Sequence, residues 1–124
     1  MKTATIRFQA LSVATALLAT AGCKKSGPAA LAPEKIPAAV NQVFNQATGE
    51  TKEMATAVAT DCQGQDSVKA FSELQALSHQ PNLTPEQRAT TARAMVTVFT
   101  KLRADSENGD AAAQAAVNQY LSTR

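Results

Sequence analysis

The segment TPEQRATTARAMVTVFTKLRADSE, residues 84–107, carries the strongest helix signals in the chain. Thr84 suits a helix N-cap, Pro85 suits the first helical position, and Gln87 can close a capping box with Thr84. Asn108-Gly109 then stops the helix. The segment predicts one helix to about Glu107, and its apolar face is expected to be Ala92, Met95, Val96, Phe99 and Leu102.

Working outward from this helix, the same reasoning predicts further helices on both sides. One covers about Ile36–Ala47, a second about Glu50–Cys62, and a third about Ser67–His79 with Asp66 as its N-cap. A last helix follows Asp110, and its apolar face is Ala113, Val117, Tyr120 and Leu121. The apolar stripe stays almost in phase across Gly49, so residues 36–62 are open to interpretation as one helix or two. The faces expected for the first three helices are Ile36, Val40, Val43, Phe44 and Ala47; Met54, Val58 and Cys62; and Ala70, Phe71, Leu74 and Leu77.

No stretch shows the apolar alternation of a β-strand, so we predict an all-α fold. Short loops between successive helices favour antiparallel neighbours, which gives a small antiparallel helical array of four or five helices over residues 34–124. The 124 residues suit one domain and are too few for a barrel of about 250 residues.

The N-terminus has the layout of a secretory signal peptide. Lys2 and Arg7 precede Phe8–Gly22, an uncharged and mostly apolar run, and Cys23 follows. This run is shorter than the roughly 20 residues that a membrane-spanning helix needs. The pattern therefore predicts a segment, residues 1–22, that directs export.

The end of this segment, Thr20-Ala21-Gly22-Cys23, resembles the lipobox of bacterial lipoproteins, with Thr20 in place of the preferred Leu. The resemblance implies cleavage after Gly22 and a diacylglyceryl group on the sulfur of Cys23, which becomes the mature N-terminus. The alternative is an ordinary signal peptide that is cut near Ala19 or Ala21 and leaves Cys23 without a role.

Lipid on Cys23 would anchor the protein to a membrane, because two or three acyl chains hold more firmly than one. Lys24 and Lys25 are expected to contact anionic head groups, each adding about 1 kcal/mol at most. In proteobacterial lipoproteins Asp after the Cys favours the inner membrane, so Lys24 implies the outer membrane by resemblance. Residues 23–33 are predicted to form the lipid anchor and a flexible tether. The tether could reach about 30 Å from the bilayer surface, so the domain is expected to face the periplasm or the exterior.

The formal charge of +2 and the pI of 8.7 come mainly from this N-terminal region. Residues 1–22 hold Lys2 and Arg7, and the mature chain balances ten basic against ten acidic residues. Residues 26–124 hold eight basic against ten acidic residues, and both signs mix on the predicted helices. With aromatic residues at 4%, the composition gives no reason to expect a nucleic-acid partner.

Few residues in the domain suggest chemistry. Cys62 is interpreted either as a small apolar residue on the Met54/Val58 stripe, or as a thiol that forms an intermolecular disulfide or responds to redox conditions. His79 is expected at a solvated helix end, and the threonines at 90, 91, 97 and 100 are expected to bond back to their helix backbone. No catalytic, metal-binding or phosphate-binding motif is present, so we expect neither an enzyme nor a cofactor.

Two functions remain as hypotheses. The first is a membrane-tethered module that binds an envelope protein, or itself, through a helix face. The second is a periplasmic carrier of a small apolar ligand, with a pocket between helices around Phe44, Phe71 and Phe99. Residues Gly64–Phe71 resemble in part the turn that enters the second helix of a tetratricopeptide repeat, which implies a helical hairpin, but no copy follows at a period of about 34 residues.

Overall fold

A computed structural model describes residues 28–124, and this part of the chain contains five α-helices and no strand. The fold is the small antiparallel all-α array that the sequence predicts. A single 3₁₀ turn, Pro33–Lys35, leads into the first helix. The helices are α1 (Ile36–Val43), α2 (Gly49–Gln63), α3 (Ser67–Ser78), α4 (Pro85–Glu107) and α5 (Ala111–Ser122). The predictions for the signal peptide, Gly22, Cys23, Lys24 and Lys25 lie outside the described residues.

Each helix packs against the next one in the chain, and two further contacts close the array. Helix α4 packs against α1, α3 and α5, so it is the central helix. Helix α5 packs against α3 and α4 and lies at the edge. The arrangement leaves one side of the α4–α5 pair without a covering helix in the described part of the chain.

Side-chain caps fix where α3, α4 and α5 start, as the sequence predicts. The Gln87 amide donates to the Thr84 hydroxyl at 3.1 Å, and the Thr84 amide donates to the Gln87 side chain at 3.0 Å. Asp66 accepts from the amide of Lys69 at 3.0 Å, and Asp110 accepts from the amide of Ala113 at the same distance. These bonds satisfy amide donors that lack an intrahelical partner.

The segment from Ile36 to Cys62 forms two helices. Helix α1 ends at Val43 rather than near Ala47, and Gly49 takes a φ of +60°, which only glycine adopts at little cost. The ammonium group of Lys52 donates to the carbonyl of Phe44 at 3.2 Å and so satisfies one acceptor at the end of α1. The left-handed residue and this bond turn α2 back along α1.

The core is one cluster to which all five helices contribute. The predicted face of α3 is confirmed; of the face predicted for α1, Ile36, Val40 and Phe44 are buried, whereas Val43 and Ala47 are half-buried. In α2 the buried residues are Ala55, Val58 and Ala59, whereas Met54 and Cys62 are half-buried. The largest fully buried side chains are Phe44, Ile36, Leu74, Leu77, Leu102, Val40, Val58 and Thr91.

The predicted apolar face of α4 is wrong, because the buried positions mostly lie one residue earlier in the sequence than predicted. The buried residues are Thr91, Ala94, Val98 and Leu102, and of the predicted set only Leu102 is fully buried. Both sets follow the three- and four-residue spacing of one helix face. The larger side chains favoured the predicted face, but α4 contacts three helices, and close helix approach favours small residues such as Ala94.

The face of α5 is also only partly as predicted. Ala113 and Val117 are buried, Tyr120 is half-buried, and Leu121 is 55% exposed. Met95, Phe99 and Tyr120 pack against the edge of the core, and Val96 and Leu121 are exposed.

The chain just before α1 is held against α4. The Arg93 guanidinium Nε donates to the carbonyl of Ala29 at 2.9 Å, and the Thr97 hydroxyl donates to the carbonyl of Leu31. Leu31 is partly buried against the core. Residues 29–32 therefore pack against the helical domain.

Candidate interaction surface

An open groove of about 420 Å³ runs between α4 and α5 on their uncovered side. We call it the α4–α5 groove, and its lining residues are Phe99, Arg103, Ser106, Glu107, Val117 and Leu121. Val96 lies one turn before Phe99 on α4 and is 38% exposed. Leu121 and Val96 are the two exposed large hydrophobic residues among those that the structure describes. Leu121 lines the groove, whereas Val96 is not one of its lining residues.

The floor of the α4–α5 groove is held in place by an aromatic cluster. The Phe99 ring lies 5.4 Å from the Phe71 ring and 5.0 Å from the Tyr120 ring, measured between centroids. Phe71 and Tyr120 meet edge to face at 5.1 Å. Such pairs contribute about 0.5–1.5 kcal/mol each beyond their area, so Phe99 is fixed before any partner arrives.

Arg103 and Glu107 are the charged residues that line the α4–α5 groove. The Arg103 guanidinium lies 3.8 Å from the Glu107 carboxylate, and the two side chains are 61% and 73% exposed. An exposed pair at this distance is weak, about 0–1 kcal/mol. The Arg124 guanidinium carbon lies 5.2 Å from the centre of the Tyr120 ring, which is a cation–π contact.

The three phenylalanines that the sequence suggests for a ligand pocket do not share one. Phe71 and Phe99 are in contact, whereas Phe44 is fully buried at the end of α1. A small apolar pocket of about 50 Å³, which opens to solvent, lies elsewhere and is lined in part by Ile36, Cys62 and Val98. It is about a third of the 150 Å³ cavity that holds benzene in an engineered protein, so it suits guests of a few atoms.

Cys62 borders this pocket and is half-buried against the core. Burial and, to a smaller degree, the Asp61 carboxylate raise the pKa of the Cys62 thiol. The thiol therefore stays protonated more than an exposed one, which lowers its reactivity. This environment fits the interpretation of Cys62 as a small apolar residue better than that of a reactive thiol.

His79 and the threonines of α4 have mainly structural surroundings. His79 is exposed at the end of α3, and its Nδ1 lies 2.6 Å from the carbonyl of Gln75. The Thr100 hydroxyl donates to the carbonyl of Val96 at 2.8 Å, as predicted. The Thr91 hydroxyl is buried and has no hydrogen-bond partner. The Ser78 hydroxyl lies 3.4 Å from His79 Nδ1 and also donates to the carbonyl of Gln75 at 2.6 Å.

A polar contact joins the start of α3 to the end of α4. The Ser67 hydroxyl donates to Asp105 Oδ2 at 2.8 Å, and the Lys101 ammonium donates to the same oxygen at 2.7 Å. The hydrogen bond from Lys101 lowers the pKa of the Asp105 carboxyl group most, and the hydrogen bond from Ser67 lowers it further. The contact is a structural link between two helices.

Comparison with protein-family models, with curated proteins and with solved structures finds no match to this chain. Across residues 28–124, no helix combines the length and the apolar character that crossing a bilayer requires. In the same range, no three His, Cys, Asp or Glu side chains group as metal ligands would. The α4–α5 groove is therefore the feature from which we argue function.

Proposed function

We propose that this protein is a membrane-anchored bacterial lipoprotein whose helical domain binds a protein partner of the cell envelope through the α4–α5 groove. The observation that carries the proposal is that Leu121, which is 55% exposed, lines one groove together with Phe99 and Val117. Exposed apolar surface of this kind is typical of interaction sites. The domain acts by binding rather than by catalysis.

The N-terminal sequence supports the anchor. A basic start, an uncharged apolar run and Gly22-Cys23 at its end are the features of a lipoprotein signal peptide. Lys24 after the Cys favours the outer membrane, with the domain facing the periplasm or the exterior. Two acyl chains or more on Cys23 would make the attachment stable.

The contacts of residues 29–32 with α4 bring the domain close to that membrane. Only Lys24 to Pro28 separate the proposed lipid on Cys23 from the first held residue, Ala29. At about 3.3–3.6 Å per residue, these five residues span less than about 20 Å. A partner of the α4–α5 groove is therefore itself membrane-bound or lies near the membrane surface.

The anchor is tested with the two cysteines as a matched pair. Cys23→Ser is expected to abolish labelling with palmitate and to move the protein from the membrane fraction to the soluble fraction. Cys62→Ser, which also removes one thiol, is expected to leave both properties unchanged. Palmitate labelling that persists in Cys23→Ser would refute the anchor.

The groove is tested by photo-crosslinking in intact cells. A photoreactive residue at position 121 is expected to give one discrete protein adduct, and Ser106→Arg, which fills the groove with a long side chain, is expected to abolish it. The same probe at position 69, an exposed site on α3, serves as the control. Equal adducts from both positions, or none from position 121, would refute the proposed docking site.

A further inference from the structure

We infer that residues 29–35 form a strap that opens from α4 while the five helices stay folded, and that this opening uncovers the thiol of Cys62. We call residues 29–35 the strap. The device goes beyond the proposed function, because it requires neither the α4–α5 groove nor a lipid on Cys23.

The strap is held against α4 by few contacts. The Arg93 Nε donates to the carbonyl of Ala29 at 2.9 Å, and the Thr97 hydroxyl donates to the carbonyl of Leu31. Leu31 is the large apolar side chain of the strap that packs against the core, and it is only half-buried. Opening therefore breaks two hydrogen bonds to α4 and exposes one apolar side chain.

The strap ends sharply where the core begins. None of its residues is fully buried, whereas the next residue, Ile36, is 1% exposed and starts α1. Val40, one turn further along α1, is completely buried. Segments with few buried apolar contacts open at a lower free energy than the whole domain. The opening therefore stops at Ile36, because the chain beyond it is held by the core.

The strap forms one wall of the pocket that Cys62 borders. Pro33 of the strap and Cys62 of α2 line the same apolar pocket of about 50 Å³, and both also line a wider groove beside it. Thr97, whose hydroxyl holds the strap, lines the smaller pocket as well. When the strap opens, Pro33 leaves with it, so the half-buried Cys62 thiol becomes accessible to solvent.

The order of the chain couples the strap to whatever holds the N-terminal side. Ala29 and Leu31 come before Ile36, so a pull from upstream loads the bonds to Arg93 and Thr97 before it reaches the core. The strap thus links tension on the N-terminal side of the chain to the accessibility of one thiol.

The test measures how fast Cys62 reacts with a maleimide reagent. The protein is the whole chain with Cys23→Ser, in which Cys62 is the single thiol. The reaction is followed at rising urea concentrations below the unfolding transition. Opening of the strap exposes little surface, so the rate is expected to rise only slightly with urea, far less than global unfolding does.

Variants of α4 test whether the two hydrogen bonds keep the strap closed. Thr97→Val is expected to raise the labelling rate of Cys62 about fivefold, and Arg93→Met about tenfold, because each removes one bond that favours the closed strap. Thr100→Val and Arg103→Met make the same changes at α4 positions that do not hold the strap, and they are expected to leave the rate unchanged.

A variant of the strap itself keeps the test independent of α4. Leu31→Ser removes the apolar contact of the strap without altering any helix, and it is expected to raise the rate about tenfold. Circular dichroism of every variant checks that the helices are intact.

Two results would overturn the inference. If the variants at positions 31, 93 and 97 leave the labelling rate unchanged, Cys62 is reached directly from solvent and the strap covers nothing. If the rate rises with urea as steeply as global unfolding, the strap opens only together with the helices. Neither result bears on the proposed function, because Cys23→Ser carries no lipid and the groove residues are intact in the variants that open the strap.

Discussion

The rotation of α4 makes a sharp prediction, because it buries Val98 and leaves Val96 on the surface. Val98 is 6% exposed and Val96 is 38% exposed, although the two residues are alike and lie in one helix. We compare Val98→Ala with Val96→Ala, so that the chemical change and the helix are the same in both variants.

The magnitudes follow from burial. Val98→Ala removes two buried carbons at about 0.8 kcal/mol each, and the better helix propensity of Ala returns about 0.5 kcal/mol. The net loss is about 1 kcal/mol, or up to about 2 kcal/mol if the cavity does not collapse. At Val96 the loss of partly exposed carbons is offset by the same gain in helix propensity, so the net change in the free energy of unfolding is about zero.

Urea unfolding followed by circular dichroism measures both variants. An unchanged slope of unfolding free energy against urea shows that the difference is one of stability. In thermal unfolding, each kcal/mol of difference in stability between the two variants corresponds to a difference in Tm of about 4–8 °C for a domain of this size. If Val96→Ala destabilises the protein as much as Val98→Ala, α4 is rotated the other way and the α4–α5 groove is filled by core packing.

Three further predictions concern single groups in the domain. Thr91→Val keeps the shape of a buried side chain but removes a hydroxyl without a partner, so we expect it to raise the free energy of unfolding by about 1 kcal/mol in urea titration; a loss of stability would show that the hydroxyl is bonded. Thr84→Ala removes the capping box of α4 and is expected to cost about 1 kcal/mol, whereas an unchanged denaturation midpoint would contradict the role of the cap. The pKa of Asp105 is lower in the folded protein than in the unfolded chain, so its carboxylate stabilises the fold. This contribution to the free energy of unfolding is complete above the unfolded pKa of about 4, and it is lost as the pH falls through the pKa of the folded protein. Asp105→Asn is therefore expected to flatten the stability profile below about pH 4, and an unchanged acid profile would contradict this assignment.

The helices that the sequence predicts best are those with one clear apolar face. In α3 the large residues Phe71, Leu74 and Leu77 lie on a single stripe, and Asp66 caps the start. Helix α4 has two overlapping stripes, and the larger side chains point to the wrong one. Whether Ala94 or Val96 faces the core depends on how closely three neighbouring helices approach, which local spacing does not determine.

The groove is a property of the assembled fold. Phe99, Leu121 and Arg103 are apolar and charged residues of two separate helices, and nothing local indicates that they line one groove. The one signal available in the sequence is that α4 has more apolar positions than a single buried face uses. The bond between Arg93 and the carbonyl of Ala29 joins residues 64 positions apart and likewise escapes any local pattern.

The position of this groove matters for function only if the chain is attached to a membrane through Cys23. The most direct measurement of that attachment is the mass of the N-terminal peptide of the protein isolated from bacterial membranes. The account predicts a peptide that begins at Cys23, lacks residues 1–22, and carries the added mass of a diacylglyceryl group on Cys23. An N-terminal peptide with an unmodified Cys23, or one that begins at another residue, would contradict it.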